Sequence, residues 1–497
     1  MLSPEIKIAE KQPEELTFAE FKKAVQRHPT NFPVDNNRYP ALIKTAKKSE
    51  SDIMRFVNAT RPIIHPPLLK LMHDFLAYKK QHGSVIEKKL YQDMTLDQFI
   101  SRLLTKRPMV FMGPNDTYLL RNRARNAGGF EDIGTLKEKS PLLLQDYISY
   151  DEIQLSAMIC VATPSFFINS GERTNQGMPG KTDSFEDSGV MVGIVGARCE
   201  VASRNEYAHI LITPSQNTLE NGYGKASLFK EKHAHFAKFY DQGDKDEYYF
   251  PSFEEAQADT TGKYFKLKDG RFLNMAAYQK RMRAVIEPFL VEANARGENA
   301  NQDVFIDASG IGLGVWGVEK EIQTKLQLEV YAQILSQIPL NRITDINFHR
   351  FPQISQEIWP LLLEQYPFCD ANRKVQIQHI KRNPASRLQG SHQSKLLVNN
   401  YAWDGNSQPG NEYWLGGSYL CGSGDPVAAC YSQISELQNS LINNHVSGAN
   451  TYCAVQGQMV EIQAFNGMAV DSDYDAFSAR TSTLYDQETK RSKKLGV

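Results

Sequence analysis

No apolar run in this sequence approaches the roughly 18 residues that a membrane-crossing helix needs. Residues 1–15 alternate charged and apolar side chains and lack the apolar middle of a secretory signal. Net charge is also nearly absent, at −1, so nothing pulls the chain as a whole toward nucleic acid or an anionic membrane. Cysteine is scarce and scattered: the six, from Cys160 to Cys453, form no C-x-x-C pair, which argues against a zinc ribbon or a dithiol redox site. His233 and His235 have no third ligand spaced around them, and a zinc site needs three or four, so no metal is expected. These absences describe a cytoplasmic chain with neither a nucleic-acid nor a membrane partner, or one exported without a cleaved signal. They leave the oligomeric state open.

What is present is an ordinary globular composition, 41% hydrophobic and 23% charged over 497 residues, long enough for roughly two to three domains. Residues 1–107 read as a helical N-terminal region, because TFAEFKKAVQRH, PLLKLMHDFLAYKKQ and DMTLDQFISRLLTKR carry apolar residues at helical spacing. Residues 108–460 read as an α/β core with insertions, and 461–497 as a polar C-terminal tail, expected to be disordered from Asp471 onward. Within the core a long helix over 276–296 is expected to break at Pro288.

The stretch that organises the core is DVFIDASGIGLGVWGVEKEIQTKLQLEVYAQIL. Val304, Phe305 and Ile306 predict a strand. Gly310, Gly312 and Gly314 predict a loop in which backbone can approach a ligand, and a helix follows from Val318, Ile322, Leu326 and Val330. Residues Ser309 to Trp316, that is Ser309, Gly310, Ile311, Gly312, Leu313, Gly314, Val315 and Trp316, could cradle a phosphate against the free N–H groups of that helix. Asp307 closes the strand where a ribose could meet a carboxylate. A glycine-rich strand-to-helix turn that binds nothing is the plain alternative. No Lys-Ser or Lys-Thr pair follows, so this is not a Walker loop. The G-x-G-x-G spacing, with Asp345 too far along, makes a poor dinucleotide fingerprint.

Three further stretches concentrate chemistry. Arg121, Arg123 and Arg125 alternate, and on an extended segment would share a face able to clamp phosphate; a solvated charge run is the alternative. Glu172, Arg173 and Asn175 lie on a long polar loop and could read a ribose and base, or simply hold a surface turn. The stretch KLLVNNYAWDGNSQPGNEYWLGGSYLCGSGDPVAACYSQISELQ crowds Asn399, Asn400, Asp404, Asn406, Asn411, Glu412 and Asp425 among aromatics, the mixture that walls a ligand site. Asp425 before Pro426 also fits a helix N-cap.

NSGERTNQG, VGIVGAR, IDASGIGLGVWG and above all NNYAWDGNSQPGNEYWLGG with SGDPVAACYSQISELQN resemble the MavL-like macrodomain family, known from bacterial effectors. The resemblance spans about 163–452. It implies an α/β fold, a macrodomain-like mixed sheet flanked by helices, with its ligand loops in permuted order. It also implies an ADP-ribosyl hydrolase that removes ADP-ribose from a modified protein, arginine-linked and with ubiquitin as one such protein; as an effector, the chain would act inside a host cell. ADP-ribose would be ligand or product, with no cofactor required. The pyrophosphate would lie on Gly310 to Gly314 and the distal ribose beside Asn399 and Asn400. Asp404 and then Asp425 would be the catalytic carboxylates, with Asn406, Asn411 and Glu412 on ribose hydroxyls. A carboxylate near the anomeric carbon suits the oxocarbenium-like state of glycosidic cleavage. The alternative is a non-catalytic ADP-ribose-binding module. A transferase would want a catalytic Glu paired with an Arg and a Ser-Thr-Ser strand, and no convincing E-x-E element supports it.

Overall fold

On the strand that ends in Asp307 and Ser309, Val304, Ile306 and Ala308 alternate with Phe305, Asp307 and Ser309, so its two faces differ in chemistry. In the computed structural model, which describes residues 5–9, 12–28, 34–244, 247–351, 369–370, 373–415 and 424–470, both faces are covered. The strand belongs to a nine-stranded mixed sheet. Its members in chain order are β1 (Arg61–Ile64), β2 (Cys160–Phe166), β3 (Ser188–Ile194), β4 (Val304–Ser309), β5 (Ile343–His349), β6 (Gln376–Gln378), β7 (Leu396–Ala402), β8 (Tyr452–Val455) and β9 (Gln458–Glu461). Across the sheet they stand β6-β5-β4-β7-β3-β2-β1-β8-β9. From β6 to β3 every pairing is parallel, so five strands end on one edge. In open α/β sheets that carboxyl edge is where ligands bind.

One face of this block is apolar, with Val304, Ile306, Ala308, Ile346, Phe348 and Val398 buried. It packs on two helices, α1 (Met275–Ala300) and α2 (Lys320–Gln337), seen in the Tyr331–Phe348 ring contact at 5.0 Å. Helix α1 runs unbroken through Pro288. The proline removes one hydrogen bond and costs about 3 kcal/mol. Val285, Ile286, Phe289, Leu290 and Val291 around it are fully buried, each contributing about 1.5–3 kcal/mol, so tertiary packing overrides the break expected from sequence.

Among the described residues up to 107 lie six α-helices and β1. The strand is inserted into the sheet, antiparallel to β2 and parallel to β8, and the helices share their core with it through Leu68, Phe75, Phe99 and Leu103. At the other terminus β9 pairs with β8, and the Ile6 N–H donates to the Met468 carbonyl at 2.9 Å. The expected disordered tail lies, from 471 on, outside the described residues, as does a helix expected around 358–365. Among the described residues no helix is long and apolar enough to cross a membrane.

Candidate functional site

A parallel sheet covered on both faces normally reads as continuous hydrophobic strands. Here the second face does not. Asp345, Asn347 and His349 on β5, Asp307 on β4 and Asn399 on β7 are all 4% exposed or less, and the register sets Asp307 beside both Asn347 and Asn399. Asn347 Nδ2 donates to Asp307 Oδ1 at 2.7 Å, and Arg382 stands 3.5 Å from the same oxygen. His349 Nδ1 is 3.0 Å from Asp307 Oδ2, while its Nε2 is 2.9 Å from the Ser309 hydroxyl. The Asp307 Oδ2 and His349 Nδ1 atoms stand close without a hydrogen bond between them, while the other ring nitrogen holds the hydroxyl at the strand end. Beside them Asn399 Oδ1 is buried with no hydrogen-bond partner among the described residues, a vacancy suited to a ligand donor. Tyr431, at the end of helix α3 (Gly424–Tyr431), covers this face and donates to Met191 Sδ at 3.5 Å.

The glycine loop leaves β4 at the carboxyl edge. Asn400 clamps its start, accepting from the Ser309 N–H at 2.6 Å and donating to the Ser309 carbonyl at 3.1 Å. Gly312 has a φ of 66° and lies against the chain after β3 so closely that a β-carbon on Gly196 would sit 2.2 Å from the Gly312 nitrogen. Two backbones meet there, and only glycine permits it. Ile311 and Leu313 are core side chains, 1% and 3% exposed, which aim their own peptide groups outward. Among the described residues the N–H groups of Gly312, Leu313 and Gly314 make no hydrogen bond. The helix behaves differently from expectation. It begins only at Lys320, and the Val318 and Glu319 N–H groups are taken by Gln323 Oε1 at 2.8 and 3.0 Å, so these two amides are already satisfied and are not offered to a ligand.

From β7 the chain passes Trp403, on which the fully buried Arg107 stacks at 4.5 Å, into the acid-bearing loop. Asn411 Nδ2 donates to Asp404 Oδ2, and its Oδ1 accepts from the Glu412 N–H at 2.6 Å, tying the two acids together. Burial pushes Asp404 up to about 6 against the pull of Arg198. Burial and the neighbouring Asp404 push Glu412 up to about 7. Burial, Asp404 and Glu412 raise Asp425 well above the usual carboxylate range. Asp425 Oδ2 accepts from the Gly410 and Asn411 N–H groups at 2.9 and 3.1 Å. It therefore staples the acid loop from helix α3 rather than acting as the expected N-cap. Arg198, 3.2 Å from Glu200 and 3.3 Å from Asp116, faces this cluster and the Trp316 ring at 5.8 Å. Carboxyls that titrate near neutrality are those suited to exchanging protons in a reaction. Among the described residues no three His, Cys, Asp or Glu side chains converge closely enough to hold a metal.

The sequence that builds this loop and carboxyl cluster is similar to known proteins. The family described as ADP-ribosylhydrolase MavL-like matches residues 19–467. The chain belongs to this family. Two ADP-ribosylarginine hydrolases of Drosophila melanogaster are similar to it along most of their length. CG3568 is 36% identical over 456 residues, covering 87% of this chain and 85% of its own. CG2909 is 33% identical over 448 residues, covering 87% of each.

In this MavL-like chain the structure brings together Asp307, Ser309, the loop 310–316, Asn399 and Asn400 on one side, and Asp404, Asn411, Glu412 and Asp425 on the other. Val315 is exposed and Trp316 half-buried at the loop's outer end. Asn406 is 3% exposed and donates to the Phe111 carbonyl at 3.3 Å, so it holds the loop instead of meeting a ribose. Asn175 is spent on its own turn, donating to the Glu172 carbonyl and accepting from Asn169 and the Gly177 N–H. Glu172 and Arg173 are exposed. Arg173 lies near Arg350, whose pKa burial and that neighbour lower, so this loop borders the Asp307 side and not the acid cluster. Sequence reasoning missed Asn347, His349, Arg382, Tyr431 and Arg198. For the β5 residues a signal existed: polar side chains at every second position of a strand flanked by apolar ones.

Proposed function

We propose that the protein hydrolyses the bond between ADP-ribose and an arginine side chain of a modified protein. ADP-ribosylhydrolase activity is the family's, and the arginine linkage is carried over from the names of the two fly relatives. The observation that carries the reading is the meeting of the open glycine loop with two carboxyls raised to about 6 and about 7. In this reading the diphosphate lies on the amides of Gly312 to Gly314. The adenosine end points toward Asp307 and Asn399, and the distal ribose toward Asp404. This is a macrodomain-like arrangement with the phosphate loop preceding the ribose loop in the chain.

Cleavage of the C–N bond leaves positive charge on the ribose, which a nearby carboxylate stabilises. Asp404, largely ionised at neutral pH, takes a proton from the attacking water as its oxygen bonds to the anomeric carbon. Glu412, still partly protonated there, gives a proton to the departing guanidine nitrogen. Glu412 is thereby moved from a ribose-binding role to that of the acid. Asp425 is a positioning residue, because it holds the peptides that carry Asn411 and Glu412. The test is turnover of an ADP-ribosylarginine peptide, and of ADP-ribosylated ubiquitin as a folded substrate, by wild type and Asp404→Asn. Release of ADP-ribose by wild type alone, with both proteins binding free ADP-ribose, supports the reading. Equal release by both would refute it.

A further inference from the structure

A cavity of about 160 Å³ borders the acid-bearing loop, with Gln408 and Trp414 of that loop in its wall. Arg27, His28, Arg121 and Arg123 also line it, and among the described residues no carboxylate does. The alternating arginines of the sequence thus meet in a different way from that expected. Arg123 sits in a turn with a φ of 70°, and the strand begins only at Arg125, yet Arg121 and Arg123 still converge. The charge of Arg121 is met by carbonyls, with Nη2 donating to Asp146 O at 2.7 Å, and by the Tyr147 ring. Arg27 makes no ion pair among the described residues.

Two buried amides complete the lining. Asn439 is 0% exposed and Gln408 2%. The Asn439 Oδ1 accepts from the Leu441 N–H at 3.0 Å, which leaves its Nδ2 as the unsatisfied end. Neither Asn439 Nδ2 nor Gln408 Nε2 has a hydrogen-bond partner among the described residues. Buried donors without acceptors are rare, and here both border a space ringed by guanidinium groups. Burial and the adjacent Arg121 and Arg27 lower the His28 pKa, as expected where positive potential is in excess. The space is well below the ~300 Å³ at which drug-sized ligand pockets begin. An ionic head group fits it, whereas a nucleotide does not.

We propose that this cavity is an oxyanion site of the phosphate class, and that an anion bound there braces the loop carrying Asp404 and Glu412. Planar guanidinium forks and amide N–H groups are suited to a tetrahedral dianion. The anion could be free phosphate or the phosphoryl group of a small monoester.

The test is calorimetric titration of the full chain with inorganic phosphate and, separately, glycerol phosphate, in wild type and in two cavity variants that distinguish this site from the glycine loop. Binding of either that the cavity variants weaken supports the site: a response to both places its mouth open to an attached group, and a response to phosphate alone makes it closed. Arg123→Gly, which suits the left-handed backbone there, and Gln408→Leu should each weaken binding by about tenfold or more. Amide exchange across 403–415 should slow when phosphate is added. No binding of either anion, or affinity unchanged in both cavity variants, overturns the site. Unchanged exchange overturns the bracing role. Because these readouts need no turnover, failure here is separable from failure of the hydrolase reading.

Discussion

Glu412→Gln should make the protein more stable at pH 8 and less active. The Glu412 carboxyl, ordinarily near 4.5, is lifted to about 7 by burial and by Asp404. A group whose native pKa is raised holds its proton more tightly folded than unfolded. Its contribution is fully favourable below pH 4.5 and is lost as pH rises through about 7. At about 1.4 kcal/mol per pKa unit, keeping the carboxylate ionised in the native state costs up to about 3 kcal/mol at pH 8. Partial exposure and coupling to Asp404 reduce that to about 1–2 kcal/mol. Glutamine keeps the shape and removes the charge, so the variant should gain that amount at pH 8 and nothing at pH 4.5. The assay is urea unfolding of both proteins at several pH values between 4.5 and 8. Parallel stability curves would mean that Glu412 titrates as an ordinary surface acid, and the proton-donor assignment would fall with it. A stability gain combined with lost turnover is the trade expected of a strained catalytic group.

The same two carboxyls shape the rate profile: kcat/KM should be bell-shaped, falling below about pH 6 as Asp404 protonates and above about pH 7 as Glu412 ionises. A flat profile from pH 5 to 8 would contradict both roles. Asp404→Asn should lower kcat by about 100-fold or more with ADP-ribose affinity, read by calorimetry, within a few-fold. Gly196→Ala should weaken ADP-ribose binding and lower the melting temperature together, because the new carbon would sit 2.2 Å from the Gly312 nitrogen; an alanine variant with wild-type binding would show that the two loops need not touch. Asp307→Asn leaves the half-buried Arg382 and the buried His349 without their carboxylate. It should destabilise by about 3–5 kcal/mol, measured by denaturant unfolding.

Local pattern was a good guide wherever one segment decided its own structure. The strand, glycine turn and helix order of 303–335 could be read from spacing alone. What failed was inference across segments. Pro288 was read as a break because its cost is local, whereas the burial that outweighs it comes from a sheet strand distant in the chain. One miss was local as well: the amides at the helix start were expected to point at a ligand, but Gln323, a residue of the helix itself, satisfies those of Val318 and Glu319.

The same distinction explains the site. Asp404, Glu412 and Asp425 stood out as a crowd of polar residues, but sequence could not say which would be hard to ionise, because that depends on Arg198, Glu200 and the packing above them. Asp425 is the clearest case. Next to Pro426 it looks like a helix cap, and a cap would satisfy amides of its own helix. Instead its carboxylate reaches back to Gly410 and Asn411, so the helix that ends in Tyr431 over the polar sheet face also holds the loop that carries the acids. The two halves of the proposed ADP-ribose site are thereby built on one rigid element, and a ligand that spans both would meet a distance already set by the fold.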